Sequence, residues 1–301
     1  MDQPLIEAEF VSRDQCISCG SNALTELSSG QFSDEPLASF IRDGIWGENP
    51  YPYLKNARWR FVNCAHCEQA FHQNILAPSW NLRRFEQWMT DASLEIFERP
   101  YRAPEKQFLR AIDHVQHVLR LERLTRPIRD DTTPLKLLDF GCGNGEFLEC
   151  CRGFGFDVTG VDRSSSRRKN NKVPILSDVS QIEGQFHAIT LFEVLEHLDD
   201  PLSILKFLRA HATPGSILVL ETPDCSGVKT IKTKADYDLI HPLDHINAFT
   251  PKTMETIAAR TGFQRINKPA AFATTQAIRI AKSIAAYWLK RNNTRQYFVA
   301  V

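Results

Sequence analysis

Behind the acid of Asp139-Phe140-Gly141-Cys142-Gly143-Asn144-Gly145 stand three glycines at alternate positions, and this is where the backbone of the chain can itself hold a ligand. A residue without Cβ takes positive φ readily and lets a bound molecule approach the main chain. The amides opening a helix expected over 146–152 are free to face that molecule. A dinucleotide fingerprint starting at Gly141 would need a third glycine where Glu146 stands, so the spacing speaks against a dinucleotide. Two more acids follow at expected strand ends. Asp162, after Asp157–Val161, is placed for ribose hydroxyls. Asp178, after a strand at 173–176, can accept from an adenine amino group or serve as a loop carboxylate or helix cap. A second set of residues is Cys16-Ile17-Ser18-Cys19 with Cys64-Ala65-His66-Cys67. Each pair offers two thiolates from one tight turn, and two pairs supply the four corners of a structural zinc site, with His66 and His72 in reserve. Disulfides and redox chemistry compete with that reading. The first residues are polar and acidic rather than those of a leader, and neither pair follows a βαβ pattern, so a cytoplasmic location and metal binding are expected.

A third set lies in Glu193-Val194-Leu195-Glu196-His197-Leu198-Asp199-Asp200-Pro201. Positions three and four apart on a helical turn share a face. Glu193, Glu196 and His197, joined by His245, can therefore form a site for a divalent ion such as Mg2+ that orients adjacent hydroxyls of an acceptor. The alternative leaves Glu193 lining a cofactor and gives Glu196 and His197 structural hydrogen bonds. An imidazole titrating near neutrality also suits His245 to general-base work, although His241 and His245, either side of Pro242, can equally cap or pack.

The Asp-x-Gly-x-Gly-x-Gly pattern resembles motif I of class I S-adenosylmethionine (SAM)-dependent methyltransferases. Glu-Val-Leu-Glu-His-Leu-x-Asp-Pro is similar to motif IV of the branch that includes ubiquinone-biosynthesis O-methyltransferases and small-RNA 2′-O-methyltransferases. The likeness runs over about residues 104–301 and takes in Pro214-Gly215, Glu221-Thr222-Pro223-Asp224 and the segment 241–251. It implies an α/β fold with a Rossmann-like seven-stranded sheet. SAM would be bound by Asp139, Gly141, Cys142, Gly143, Gly145, Asp162, Arg163, Asp178, Val179, Phe192 and Glu193. In some relatives the Glu193, Glu196, His197 and His245 positions hold a divalent ion. The two knuckles ahead of this region, with Cys19-Gly20-Ser21 and a later Pro36-Leu37-Ala38, resemble the amino-terminal zinc domain of sugar C-methyltransferases. The chain departs from those enzymes by ending shortly after its last expected strand.

These residues need elements to carry them. A chain of 301 residues, 43% hydrophobic, suits one large domain and one small one. A zinc-ribbon-like, substrate-covering domain is expected over 1–100 and the methyltransferase domain over 101–301. Helices are expected over 80–97 and 106–124, a fourth strand over 187–192, a helix opened by Pro201, a strand over 216–220, and an edge strand over 296–301 completing the sheet. Trp46, Tyr51, Tyr53 and Trp59 either stack on a sugar or aromatic acceptor or fill a small zinc-stapled core. The amphipathic stretch 277–289 either touches a membrane holding a lipid-linked acceptor or packs on the protein. Cys142, Cys150, Cys151 and Cys225 read as small apolar residues. The first hundred residues carry 8 Lys/Arg against 14 Asp/Glu, and the whole chain is neutral. A zinc module that gripped RNA should be basic, so a small molecule or glycan is the expected acceptor in preference to RNA. A non-catalytic zinc scaffold with a vestigial SAM fold is the remaining alternative, opposed by the intact acids.

Overall fold

The computed structural model describes residues 6–129, 132–164, 172–278, 280–281, 284–285 and 294–301. In chain order its strands are β1 (Phe10–Ser12), β2 (Leu24–Gln31), β3 (Arg58–Cys64), β4 (Ala70–His72), β5 (Asn74–Leu76), β6 (Lys136–Phe140), β7 (Asp157–Val161), β8 (Ile175–Leu176), β9 (Phe186–Phe192), β10 (Ala212–Glu221), β11 (Asn247–Ala248), β12 (Phe263–Ile266) and β13 (Arg295–Ala300). The chain divides into two compact units. One takes Met1–Tyr101, Glu196–Pro201 and Pro223–Thr253, and the other Arg102–Leu195, Leu202–Thr222 and Met254–Val301.

The larger unit is built on a seven-stranded sheet of order β12-β13-β10-β9-β6-β7-β8. From β10 to β8 the neighbours run parallel, while β13 is antiparallel to both β10 and β12. The parallel strands read as near-continuous apolar runs because helices cover both faces of such a sheet. Leu137, Val158, Ala188 and Ile217 are accordingly buried, in one core with Val118 and Leu121 of the helix Pro104–Thr125. β6 pairs with β7 on one side and β9 on the other, so the strand order reverses beside β6. In an open α/β sheet, ligands bind at the strand carboxyl ends at such a reversal. The final strand differs from expectation. β13 lies inside the sheet and β12 forms the edge, because Gln296, Tyr297, Phe298 and Ala300 are buried on both faces and need neighbours on both sides.

The smaller unit contains the four-stranded antiparallel sheet β11-β4-β3-β2 and the pair β1-β5. Its extent also differs from expectation. Segments 196–201 and 223–253, assigned from sequence to the methyltransferase domain, join the amino-terminal third. Ile231, Tyr237, Ile240 and Leu243 complete its core with Phe32, Trp59, Trp80 and Trp88, and β11 pairs with β4. Arg13 ties these segments together, donating to His72 O at 2.6 Å, Asn247 Oδ1 at 2.8 Å and Asp199 O at 3.2 Å. The single helix expected over 80–97 is two. Pro78–Arg83 runs into a wider turn over Arg84–Trp88, and Asp91–Glu98 starts afresh where Thr90 Oγ1 accepts from the Ser93 amide, an N-cap. Trp59 is buried and Tyr53 stacks on Trp88, so these two aromatics fill the core. The stretch 277–289 falls for the most part outside the described residues. Among the described residues, no helix is long and apolar enough to cross a membrane.

Candidate functional site

In the larger unit, β6 delivers Asp139 to the strand carboxyl edge as a buried carboxyl, and Thr190 Oγ1 of β9 donates to it at 2.6 Å. Burial pushes this acid up to about 7, with Thr190 pulling it down and Asp162 adding to the rise. The turn that follows needs its glycines. Gly141 sits at φ +77°, and a Cβ there would stand 2.4 Å from Val194 Cγ2. The Gly143 amide donates to Asp162 Oδ2 and the Ser164 amide to Asp162 Oδ1, both at 2.8 Å, so the acid just past β7 braces the glycine loop. Gly145, also left-handed, opens the helix Glu146–Gly153 with no side-chain cap hydrogen bond. Cys142 is half-buried beside this loop.

Asp178 is an exposed helix cap. It accepts from the Ser180 amide at 2.9 Å, and Gln181 returns the bond to the Asp178 amide at 3.1 Å. Hydrogen bonds from the Ser180 side chain and then its amide outweigh desolvation and, with the nearby charge of Arg163, hold its pKa below the ordinary value. Val179 begins the single turn that Asp178 caps. Phe192 ends β9 with its ring 4.7 Å from that of His117 and 5.1 Å from that of Phe147. Glu193 follows in the left-handed region at φ +53°, its amide donating to Glu221 O at 2.9 Å.

A buried polar cluster at the same edge escaped the sequence reading. His117 Nδ1 lies 2.7 Å from the Tyr297 hydroxyl, and Arg295 pairs with Asp113 at 2.6 Å and with Glu221. Burial drives His117 well below its usual range and raises Glu221. Glu221 was visible at a strand end, but its partners come from the distant helix and last strand.

In the smaller unit, the ligand atoms of Glu196, His197 and His245 lie within 4.8 Å of one another. Glu193, expected on the same helical face, is not in this group. The turn there covers only Leu195–His197, and the left-handed backbone at Glu193 breaks the face before it. His197 Nδ1 is 3.0 Å from Asp244 O and 3.1 Å from Asp244 Oδ1, and its Nε2 is 3.9 Å from Glu196 Oε1. The rings of His197 and His245 meet edge to face at 4.8 Å. His245 Nδ1 is buried with no hydrogen-bond partner among the described residues. Burial works against charge on His197, but Asp244 and Glu196 more than offset it and hold the ring at about 9. Burial opposes ionisation of Asp244 too, yet His197 and Arg84 keep it well below the usual range. Burial lowers His245, which leaves it neutral at physiological pH. One buried carboxylate and two imidazoles form a donor set that fits a divalent ion. His241 packs instead. Its Nδ1 accepts from the Leu243 amide, and its Nε2 lies 2.5 Å from the Tyr237 hydroxyl.

The four knuckle cysteines also converge within 4.8 Å, with Sγ–Sγ distances of 3.5 Å for Cys16–Cys67 and for Cys19–Cys64. Sulfurs bonded to one tetrahedral ion at roughly 2.3 Å lie about 3.8 Å apart, whereas a disulfide holds them near ~2.0 Å. The arrangement fits the ion. Both knuckles have one geometry: the Gly20 amide donates to Cys16 O and the Glu68 amide to Cys64 O, with both donors left-handed. Burial pushes Cys16 up to about 11. At Cys64 burial is outweighed by the Cys67 and His66 amides and the neighbouring thiols, which hold it at about 7. His66 is exposed, and His72 is buried with its Nε2 on Ile240 O, so neither joins the four sulfurs.

The profile of a family described as a methyltransferase domain matches residues 109–268, more than half of the chain. A ubiquinone biosynthesis O-methyltransferase of Psychrobacter arcticus is 26% identical over 188 residues, covering 55% of this chain and 70% of that protein. The Bordetella avium enzyme of the same name is 29% identical over 133 residues, 40% of this chain and 54% of its own length. Among solved structures, a SAM-bound amino pentose methyltransferase from Micromonospora echinaspora is similar at TM-score 0.43 and 19% identity, covering 68% of this chain and 95% of that one.

Proposed function

Because this chain belongs to the methyltransferase-domain family and is a SAM-dependent methyltransferase, we propose that it methylates a small molecule or glycan, a sugar or lipid-linked intermediate, on oxygen or carbon. The named role of similar proteins in ubiquinone biosynthesis supports a small-molecule acceptor. The observation that carries the reading is the acid-glycine turn at the sheet's reversal point, braced by Asp162. Bound there, the donor supplies a methyl carbon made electrophilic by its sulfonium.

The chain's own residues would do the rest. Asp139 faces the amino-acid end of the donor, Gly141, Cys142, Gly143 and Gly145 offer backbone, and Asp162 takes the ribose hydroxyls. Asp178, Val179 and Arg163 border the adenine, while Phe192 and Glu193 close the strand edge. Alignment of the acceptor with the methyl carbon provides most of the rate, because it turns a two-body encounter into a one-body step. His245, neutral and with a buried Nδ1 that has no hydrogen-bond partner among the described residues, is the base for the acceptor proton. Alternatively, Glu196, His197 and His245 hold a divalent ion that lowers the pKa of an acceptor hydroxyl. The four cysteines hold structural zinc.

Calorimetric titration with SAM tests the core of the reading, and absence of binding at micromolar concentrations would sink it. An acceptor screen with radiolabelled methyl donor, with and without a chelator mild enough to leave the cysteine-bound metal in place, then separates the two roles of His245. Full turnover in chelator leaves only the base. Loss of turnover that returns on adding Mg2+ or Mn2+ supports the ion.

A further inference from the structure

We propose that Arg84 and Asp244 are positioning residues that fix the His197 ring so that Nε2 faces Glu196 and His245, the amino-terminal third thereby completing that cluster. The inference rests on the divalent-ion reading of Glu196, His197 and His245.

The argument starts from the His197 ring. Both atoms within reach of Nδ1, the Asp244 carbonyl oxygen at 3.0 Å and Oδ1 at 3.1 Å, can only accept. Nδ1 therefore carries the proton, and the lone pair of the neutral ring lies on Nε2, the nitrogen 3.9 Å from Glu196 Oε1. A histidine that ligates a metal characteristically donates its other N–H to a carboxylate, which fixes both tautomer and ring orientation. Asp244 can do this only if it is held, and Arg84 holds it. Arg84 Nη1 lies 2.5 Å from Asp244 Oδ1 and 2.7 Å from Leu243 O, on a side chain only 3% exposed. Its Nε donates to Asn81 Oδ1 at 3.1 Å, so the planar guanidinium is fixed along two edges. Leu243 and Asp244 immediately precede His245, so the same grip sets the backbone that carries the third ligand. Arg84 stands outside residues 109–268, and the segment shared with the family does not supply it.

The test uses the full-length chain with its cysteine site zinc-loaded and Mn2+ as the probe, followed by the paramagnetic resonance of free aqueous Mn2+. The wild-type chain should bind the ion and Glu196→Ala should lose it. Asp244→Asn and Arg84→Gln should each weaken binding about 10- to 100-fold. Arg84→Lys, which restores the charge without the fork, should fall between Arg84→Gln and wild type. SAM affinity, measured on the same samples, should not change. Wild-type affinity for Mn2+ in both Asp244→Asn and Arg84→Gln, with Glu196→Ala still defective, would overturn the positioning role while leaving the ion site standing. A wild-type chain that binds no Mn2+ overturns the ion reading itself and the inference with it. Should Asp244→Asn lose its zinc, the Arg84 pair decides, and equal affinity in the Gln, Lys and wild-type proteins counts against the proposal.

Discussion

In the proposed SAM site, Asp139 would tie ligand binding to pH. Its folded pKa of about 7 stands above its ordinary 3.8, so the unliganded folded chain binds more protons than the unfolded one between those values. The stability it contributes is therefore fully present below about pH 4 and lost as pH rises through about 7. A cationic ligand placed beside the carboxylate favours its charged form, so binding releases a proton. SAM affinity should then rise toward about pH 7, by at most about tenfold per unit, and level off above it. Calorimetry from pH 5.5 to 8.5 checks this, and Asp139→Asn should flatten the curve. Gly141→Ala should cost about 1–3 kcal/mol in backbone strain and more through contact with Val194, with SAM binding lost. Gly153→Ala, whose methyl would meet nothing within 4 Å, should be neutral or stabilising by about 0.5 kcal/mol. Urea midpoints for the two variants measure the contrast. The strand-end acid Asp139 and the left-handed glycines after it were legible because their spacing is local. Arg84 was not, since nothing near it in sequence points to Asp244, 160 residues away.

At the scale of elements, the last strand is the informative case. Its apolar run announced a strand, and the lack of alternation carried a further message, burial on both faces. Its place between β10 and β12 depends on pairings with β12 residues 31 to 37 positions away and β10 residues 74 to 82 positions away, which no local pattern encodes. Removing 295–301 should leave β10 and β12 with open edges, and unpaired edges recruit other chains. Size-exclusion chromatography should show soluble aggregate in place of the wild-type peak. Phe298→Ala, which keeps the strand but empties a fully buried position, should cost about 3–5 kcal/mol without that loss of solubility. The helix expected over 80–97 was legible in its apolar spacing but not in its break, which the N-cap at Thr90 imposes.

For the whole molecule, two separate cores predict two separate stabilities. Cys64→Ser should lower bound zinc and the melting temperature of the smaller unit, while the larger unit keeps its transition and its affinity for SAM. Differential scanning calorimetry with zinc quantification measures both, and a single transition moved as a whole would show the units to be coupled. The cysteine spacing announced a unit in which four sulfurs converge. It could not reveal that the unit draws on three stretches of chain, because contacts such as Gln69 Nε2 to Ala248 O join residues 179 positions apart.

That separation is also an interval of time. At roughly 5–20 residues per second, Ala248 is made about 10–35 s after the Gln69 that will hold it. Through that interval β4 lacks the neighbour β11, and all five parallel strands of the larger sheet are synthesised before it ends. The part of the protein that begins first is thus the part that finishes late, and its cysteines meet the cell before the strand that closes their sheet exists.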